Sequence, residues 1–280
     1  MLLQLRSNLT RLFLGRGTWI YLILSILLPF AVYYSVLNRG SGNGHAMLGK
    51  YYIFGSILQA VFCALFFGRE EQSKGFQNKI VVGTKRISIY FADLITTLLI
   101  AVSGLIVHAG IICILFKTEI GRDSLKDMYQ YRLYERCLTG KGLYLTLLSV
   151  LLWLVCFTVV FTVINLFSSS RVFVLFFSAF LIFISVYLPS EITARLNHPE
   201  FITVEDEVTH VKETVPNPGY ISGRMRDVCV YYVESSPLAL TVNELDGRSL
   251  KTEKIAEVTL TVSVLTCAAG AVSFARKEFD

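Results

Sequence analysis

Residues 143–189 read LYLTLLSVLLWLVCFTVVFTVINLFSSSRVFVLFFSAFLIFISVYLP, and this stretch decides the fold. Arg171 is its single charged residue, and it follows three serines that separate two long apolar runs. A hydrocarbon core about 30 Å thick needs roughly 20 apolar residues per helix, so each run has about the length of a membrane span. The stretch therefore predicts two spanning helices joined by a very tight turn.

The rest of the chain has the same apolar character. Hydrophobic residues make up 54% of the 280 residues, charged residues only 17%, and the mean hydropathy is +0.57. A soluble domain needs more polar surface than this, so we predict an all-α integral membrane protein in which residues 1–280 form a single transmembrane domain. Six transmembrane helices are predicted, at residues 19–37, 51–68, 88–116, 143–167, 172–189 and 255–275.

The distribution of lysine and arginine predicts the orientation. With six spans, both chain ends share one side with residues 69–87 and 168–171, and this side carries 11 basic and 4 acidic residues among 46. The other side carries 15 of each among 104 residues. Because basic residues accumulate in cytoplasmic segments, we expect both termini in the cytoplasm. The basic excess thus reflects topology, and no basic stripe interleaved with aromatic residues predicts a nucleic-acid partner.

Two segments outside the predicted spans have a recognisable pattern. Residues 1–16 predict an interfacial amphipathic helix, since Leu2, Leu5, Leu9, Leu12 and Phe13 recur at helical spacing. We expect its arginines, at positions 6, 11 and 16, to face anionic head groups. Residues 190–254 form an external segment between the fifth and sixth spans, large enough for a small fold of its own.

Within this external segment, alternating residues at 201–204 and 208–215 predict a short hairpin. The turn sequence Pro-Asn-Pro-Gly follows at 216–219. An outer amphipathic helix is then predicted to end at Ser236 and Pro237. Its apolar face consists of Met225, Val228, Cys229, Tyr232 and Val233.

No pattern in the chain predicts catalysis. Residues Gly44–Tyr51, GHAMLGKY, fall one residue short of a phosphate-binding loop and place Tyr51 where a magnesium-binding hydroxyl belongs. His198 and His210 lie near acids but lack metal-ligand spacing. His108, inside the third span, either lines a cavity or hydrogen-bonds a neighbouring helix. We therefore predict neither an enzyme nor a metal protein.

Cys137 and Cys229 fall in the two larger segments on the predicted outer side. A disulfide between them would persist there, because disulfides are stable outside the cytoplasm. Two free thiols are the alternative, and the sequence leaves both open.

The inner segment at residues 70–94, EEQSKGFQNKIVVGTKRISIYFADL, resembles the loop between the second and third spans of ABC-2-type permeases, the membrane subunits of ATP-binding-cassette exporters. In bacterial members an acidic residue and a glycine precede N-K-[LI]-[IV]-x-G, which an arginine and I-Y follow. The counterparts here are Glu71, Gly75, Asn78, Lys79, Ile80, Val81, Gly83, Arg86, Ile89 and Tyr90. Phe76 departs from the pattern, since a threonine is common there. Residues 217–223, NPGYISG, with Arg226 and Ser236-Pro237, resemble a second motif, N-P-N-Y-[VI]-x-G.

The resemblance implies the permease subunit of an exporter in the bacterial cell membrane. It implies that ATP binds to a separate ABC ATPase subunit, that this chain holds no cofactor, and that a second permease copy or a paralogue completes the substrate pathway. Residues 69–87 would be the ATPase-coupling loop, and its site residues would be Glu70, Glu71, Gly75, Asn78, Lys79, Gly83 and Arg86.

Specific roles are expected for the charged residues of this loop. Glu70 and Glu71 are expected at the start of a short polar helix, where the helix dipole favours carboxylates. Lys79, Lys85 and Arg86 are expected at the lipid boundary or against the ATPase.

Two other classes of function remain open at this point. A membrane-embedded sensor or immunity protein would bind a peptide through residues 190–254 without transporting it. A polytopic membrane enzyme is a third reading, disfavoured because no catalytic arrangement is found.

Overall fold

Helices dominate the computed structural model, which describes residues 2–37, 44–72, 75–117, 141–168, 170–205, 212–236 and 251–276. Within these ranges the elements, in chain order, are α1 (Leu2–Leu14), α2 (Arg16–Leu37), α3 (Gly44–Gln72), α4 (Gly75–Val81), α5 (Arg86–Lys117), α6 (Lys141–Phe167), α7 (Arg171–Leu196), β1 (Phe201–Glu205), β2 (Lys212–Pro216), α8 (Gly223–Ser235) and α9 (Thr252–Arg276).

Five helices of the described chain are long and apolar enough to cross a membrane, so this is a multi-pass membrane protein. They correspond to the predicted first, third, fourth, fifth and sixth spans. Their apolar ranges are Arg16–Tyr34, Arg86–Leu115, Tyr144–Phe167, Val172–Leu196 and Thr252–Arg276. Helix α6 lies at the centre of the bundle and packs against α3, α5 and α9.

The predicted second span differs from the other five. It belongs to α3, whose 29 residues extend about 43 Å, but its apolar part is only Ile53–Phe67, about 22 Å long. Its neighbours explain how so short an apolar stretch fits a membrane protein, since α2, α5, α6 and α7 all pack against α3. Ser56 and Gln59 are therefore completely buried, and Gln59 Nε2 donates to the Thr97 carbonyl of α5 at 3.0 Å.

The tight turn between the fourth and fifth spans is confirmed. Helix α6 ends at Phe167 and α7 begins at Arg171, with the Ser170 hydroxyl accepting from the Phe173 backbone N–H at 3.3 Å. Beyond the turn, α7 packs more extensively against α3 than against α6.

Helix α7 also continues seven residues beyond the predicted boundary at Pro189, to Leu196. A proline removes one backbone hydrogen bond, but helices in a membrane protein tolerate this because neighbouring groups satisfy the freed carbonyls. Beyond the proline, the Thr193 hydroxyl donates to the Pro189 carbonyl at 2.7 Å within the continuing helix.

Helix α1 is separate from α2, as predicted, but its orientation corrects the sequence analysis. Gln4 and Asn8 are buried against the bundle, whereas Leu3, Phe13 and Leu14 are exposed by 83%, 66% and 80%. Leu12 is buried with Gln4 and Asn8, at 5% exposure, so the inward face of α1 is mixed, and on it Asn8 supplies a hydrogen-bond donor to a buried carboxylate on α5. The exposed apolar side chains then fit a lipid environment.

The predicted hairpin and outer helix are present after α7. Strands β1 and β2 are antiparallel, with Phe201 opposite Pro216 and Glu205 opposite Lys212. Helix α8 ends at Ser235, as its sequence predicts, but only its C-terminal end is buried, since Met225 and Val228 are 64% and 63% exposed. Helix α8 therefore caps α7 and α9 through one end.

Glu234 fixes that end. Its carboxylate is 8% exposed and contacts the ammonium groups of Lys251 and Lys254, at the start of α9. Burial alone raises the pKa of the Glu234 carboxyl, but the hydrogen bonds and charges of the two lysines outweigh it, and the pKa lies below its ordinary value. This contribution to stability is complete above the ordinary carboxyl pKa and is lost as the pH falls through the lowered value.

We expect Glu234→Gln to weaken the docking of α8 at neutral pH by about 1–3 kcal/mol, because two charge-assisted hydrogen bonds are lost. Hydrogen–deuterium exchange of the amides in residues 223–236 measures this loss directly. Lowering the pH toward 4 should loosen wild-type α8 far more than α8 of the variant. The matched control is Glu253→Gln, which changes an exposed carboxylate in the first turn of α9. Equal exchange in the two variants at pH 7 would contradict the role of Glu234.

Candidate functional site

The inner loop, residues 69–87, contains the end of α3, helix α4 and the first two residues of α5. Glu70 and Glu71 lie in the last turn of α3, which ends at Gln72, so the expectation that they begin a helix is wrong. The helix dipole favours cations rather than carboxylates at that end. The physical reason is that α3 continues past its apolar part into the polar segment. The side chains of Glu70 and Glu71 lie outside the described residues.

Helix α4 is attached to the bundle through Lys79. The Lys79 ammonium lies 3.8 Å from Asp93 Oδ1, and the Lys79 side chain is only 17% exposed. The Lys79 side chain therefore lies largely inside the protein, where it pairs with Asp93, the one acidic residue of α5. A position at the lipid boundary or against the ATPase stays a prediction.

Asp93 also joins α1 to the same point. Its side chain is completely buried, and Asn8 Nδ2 of α1 donates to Asp93 Oδ1 at 2.5 Å. An isolated ionised carboxylate in such a place costs many kcal/mol, so a cation and a donor beside it are a requirement of the fold. Asp93 thus connects α1, α4 and α5. Sequence reasoning noted the acid but missed this role, and the available signal was that Asp93 is the single charge in the predicted third span.

The base of the inner loop is attached to the last helix. Arg86 Nη1 donates to the Ala275 carbonyl at 3.1 Å, in the final turn of α9, where a cation also complements the helix dipole. One turn further along α5, the Tyr90 hydroxyl donates to the Cys267 carbonyl at 3.1 Å. Arg86 therefore attaches the loop to α9.

The tip of the loop follows from the Asn-Lys-Ile-Val-Val-Gly sequence. The Thr84 N–H donates to the Lys79 carbonyl at 3.0 Å and the Gly83 N–H to the Ile80 carbonyl at 2.9 Å, a Schellman motif that ends α4. This motif needs a left-handed residue, and Gly83 has φ of +89°. The glycine five residues after Asn78 is thus explained by the geometry of the helix end.

The same geometry leaves an apolar surface at the tip. Val81 and Val82 are each 84% exposed, and Asn78 is exposed beside them. Gly75 is the first residue of α4 and precedes Lys79 by one helical turn, at the end of α4 opposite the tip. Among the predicted site residues, Asn78 and Gly83 therefore belong to the exposed tip, and Lys79 and Arg86 to the anchors.

The outer motif also has a structural explanation. Asn217 fastens the hairpin, since its Nδ2 donates to the Pro199 carbonyl at 3.0 Å and its Oδ1 accepts from the Gly219 N–H at 2.9 Å. Arg226 Nη2 donates to the Leu196 carbonyl at 3.2 Å and so caps α7. These residues position the external segment on the helix ends.

The remaining candidate residues have ordinary surroundings. His108 is completely buried, with its ring centroid 4.3 Å from that of Tyr51 on α3, so it packs between helices. Within the described ranges, no group of three His, Cys, Asp or Glu side chains is placed to hold a metal ion. Cys229 lies on α8, but Cys137 lies outside the described residues, and their pairing stays a prediction.

Comparisons with protein-family models, with curated proteins and with solved structures give no match to this chain. The role of the inner loop therefore has to be argued from its sequence and its geometry.

Replacing Lys79 by Met keeps most of the aliphatic stem but removes the charge beside Asp93. We expect the amides of residues 75–84 to lose about 1–3 kcal/mol of protection in hydrogen–deuterium exchange, because a buried carboxylate loses its counter-ion. The double variant K79M/D93N should recover part of this loss, since a neutral amide needs no cation. Lys85→Met, an exposed lysine of the same loop, is the matched control and should change little. Equal effects of Lys79→Met and Lys85→Met would contradict the role of Lys79 in attaching α4 to the bundle.

Proposed function

We propose that this chain is the permease subunit of an ATP-driven ABC exporter and that an ABC ATPase subunit binds the inner loop. The observation that carries the proposal is the way α4 is held. One side is attached to the buried Asp93 through Lys79, and the other end exposes Val81 and Val82. A helix that transmits a displacement needs a firm attachment and an exposed contact surface, and α4 has both.

The attachments decide which parts of the permease would move with the loop. Lys79 connects α4 to α5, and the hydrogen bond from Asn8 adds α1 to the same group. Arg86 connects the loop to the C-terminal end of α9. Closure of an ATPase on α4 would therefore displace the inner ends of three helices together, which is the coupling that an exporter needs.

In this proposal the ATPase subunit supplies ATP hydrolysis, and the permease binds no cofactor. The segment Gly44–Tyr51 supports this division of labour, because it is helical and Tyr51 is completely buried. A phosphate-binding segment needs a loop whose backbone N–H groups point at the phosphates. ATP accordingly belongs to the partner.

The proposed topology has six spans, with α3 as the second, and both termini in the cytoplasm of a bacterial cell. The polar contacts of Ser56 and Gln59 inside the bundle support a membrane position for α3. The concentration of lysine and arginine around the inner loop supports a cytoplasmic position for it. In this topology the lipid bilayer surrounds the helix bundle.

A second permease copy or a paralogue would complete the pathway, and α7 offers the surface for it. Its exposed aromatic side chains alternate at three- and four-residue spacing, which is the repeat that packs one helix along another. They are Phe173, Phe176, Phe180, Phe183 and Tyr187.

The alternative function is a membrane-embedded sensor or immunity protein that binds a peptide without transporting it. The observation in its favour is the external segment, in which α8 is held on α7 and α9 by Arg226 and Glu234. Such a protein acts without an ATPase. Copurification with ATPase activity therefore separates the two functions.

We expect the double variant V81D/V82D to lose its ATPase. Both side chains are 84% exposed, so folding should be unaffected, while two carboxylates forced into an apolar contact should weaken association by at least about tenfold. The measurement uses the tagged chain purified from its native membranes, with ATP hydrolysis recorded in the copurified fraction. The reversal E70K/E71K, tested alongside, should also reduce the activity if these acids contact the ATPase.

The matched control for this experiment is M225D/V228D, which places two carboxylates at exposed apolar positions on α8. It should retain the ATPase. If the wild-type chain brings down no ATP hydrolysis, or if V81D/V82D brings down as much as wild type, the coupling proposal is wrong.

Topology has a separate test. In a background without native cysteines, we expect Arg224→Cys on α8 to react with a membrane-impermeant thiol reagent in intact cells and Gln77→Cys on α4 to react only after permeabilisation. The opposite pattern would overturn both the orientation and the coupling role.

A further inference from the structure

A cleft of about 230 Å³ lies at the junction of α1, α2 and α3. Its basic lining residues are Arg11 of α1 and Arg16 of α2. Its apolar lining includes Ile20 of α2 and Leu65 and Phe66 of α3. The cleft thus has a basic part and an apolar side.

The described charged residues that line the cleft are Arg11 and Arg16, and the shallow hollow that continues from it along α1 adds Arg6. The Arg11 guanidinium lies over the Phe66 ring, 4.0 Å from its centroid. A guanidinium stacked in this way presents its N–H groups in the plane of the fork, which is the geometry that recognises phosphate oxygens.

The cleft lies at a boundary between apolar and polar sequence. The apolar part of α3 ends at Phe67, directly after the cleft residues Leu65 and Phe66, and the apolar run of α2 begins directly after Arg16. This position corresponds to the level of the lipid head groups. Leu65 and Ile20 are 39% and 51% exposed, so the apolar side of the cleft continues onto the surface of the bundle.

We infer that this cleft binds the head-group phosphate of an anionic phospholipid, with Arg11 and Arg16 as the binding residues. The acyl chain of the same molecule runs along Ile20 and Leu65. A free phosphate satisfies only the arginines and leaves the apolar side without a function. The inference does not depend on the exporter proposal, since it rests on α1, α2 and α3 alone.

The test measures lipid retention by the purified full-length chain with native mass spectrometry, titrating phosphatidylglycerol or phosphatidylcholine into detergent. Phosphatidylglycerol should be retained in preference to phosphatidylcholine, and an excess of inorganic phosphate should not displace it. R11Q/R16Q should weaken the retention of phosphatidylglycerol about thirtyfold, from about tenfold for each 1.4 kcal/mol and about 1 kcal/mol per basic residue.

Two further variants separate a specific site from general charge and from damage to the fold. R195Q/R224Q removes two arginines elsewhere and should leave retention unchanged. Gly17→Leu keeps every charge but adds an apolar side chain to the lining of the cleft, where a Cβ at Gly17 would lie 3.9 Å from the Leu65 Cβ, an ordinary contact. It should also reduce retention of phosphatidylglycerol.

Several outcomes would overturn the inference. They are equal retention of the two lipids, displacement by inorganic phosphate, an equal loss in R195Q/R224Q, and wild-type retention by Gly17→Leu. If R11Q/R16Q does not fold, the retention of phosphatidylglycerol by Gly17→Leu alone decides whether the cleft binds the lipid.

Discussion

The buried carboxylate of Asp93 determines how the inner end of this protein is assembled. A carboxylate without contact to water is stable only beside a cation and hydrogen-bond donors. Lys79 provides the cation and Asn8 a donor, so α4 and α1 must both reach the same point on α5. The orientation of α1, with Asn8 on its inward face and Leu3 outward, follows from this contact.

Several other buried polar groups in the bundle need no such assembly, because their own helix satisfies them locally. The hydroxyls of Thr96, Thr158 and Thr259 each donate to a carbonyl four residues earlier in their own helix. This bonding costs little in a membrane helix and leaves neighbouring helices free to pack closely. Other contacts, such as that of Gln59 with the Thr97 carbonyl, cross between helices. The charged group at Asp93 is different since no backbone carbonyl can stabilise an anion.

Hydroxyls are satisfied within their own helix, whereas the Asp93 carboxylate needs partners from distant parts of the chain. This contrast explains which features the sequence predicts well and which it does not. Hydropathy identified five spans because lipid imposes the same length on every helix, and the serines before Arg171 marked a real turn. Periodicity identified α1 but not its orientation, since the face that turns inward is decided by Asp93, 85 residues away. Periodicity likewise placed the end of α8 correctly, because local sequence decides a helix end.

The errors in the inner loop have the same origin. The short apolar part of α3 gave no indication that the helix continues to Gln72, so Glu70 and Glu71 were assigned to the wrong end of a helix. The roles of Lys79 and Arg86 depend on contacts with α5 and α9 that spacing along the chain does not reveal. The resemblance marked the loop as one unit, and the geometry divides its residues between anchors and an exposed tip.

Helix α9 extends this arrangement to the opposite side of the bundle. Its 25 residues are about 37 Å long, and both ends are held by charged contacts. Arg86 binds the last turn at the inner end, and Glu234 binds Lys251 and Lys254 at the other. Because a helix is stiff along its axis, a displacement of the inner loop that moves α9 also moves the point where α8 is attached. In the proposed exporter, this one helix would connect the inner loop mechanically to the external segment.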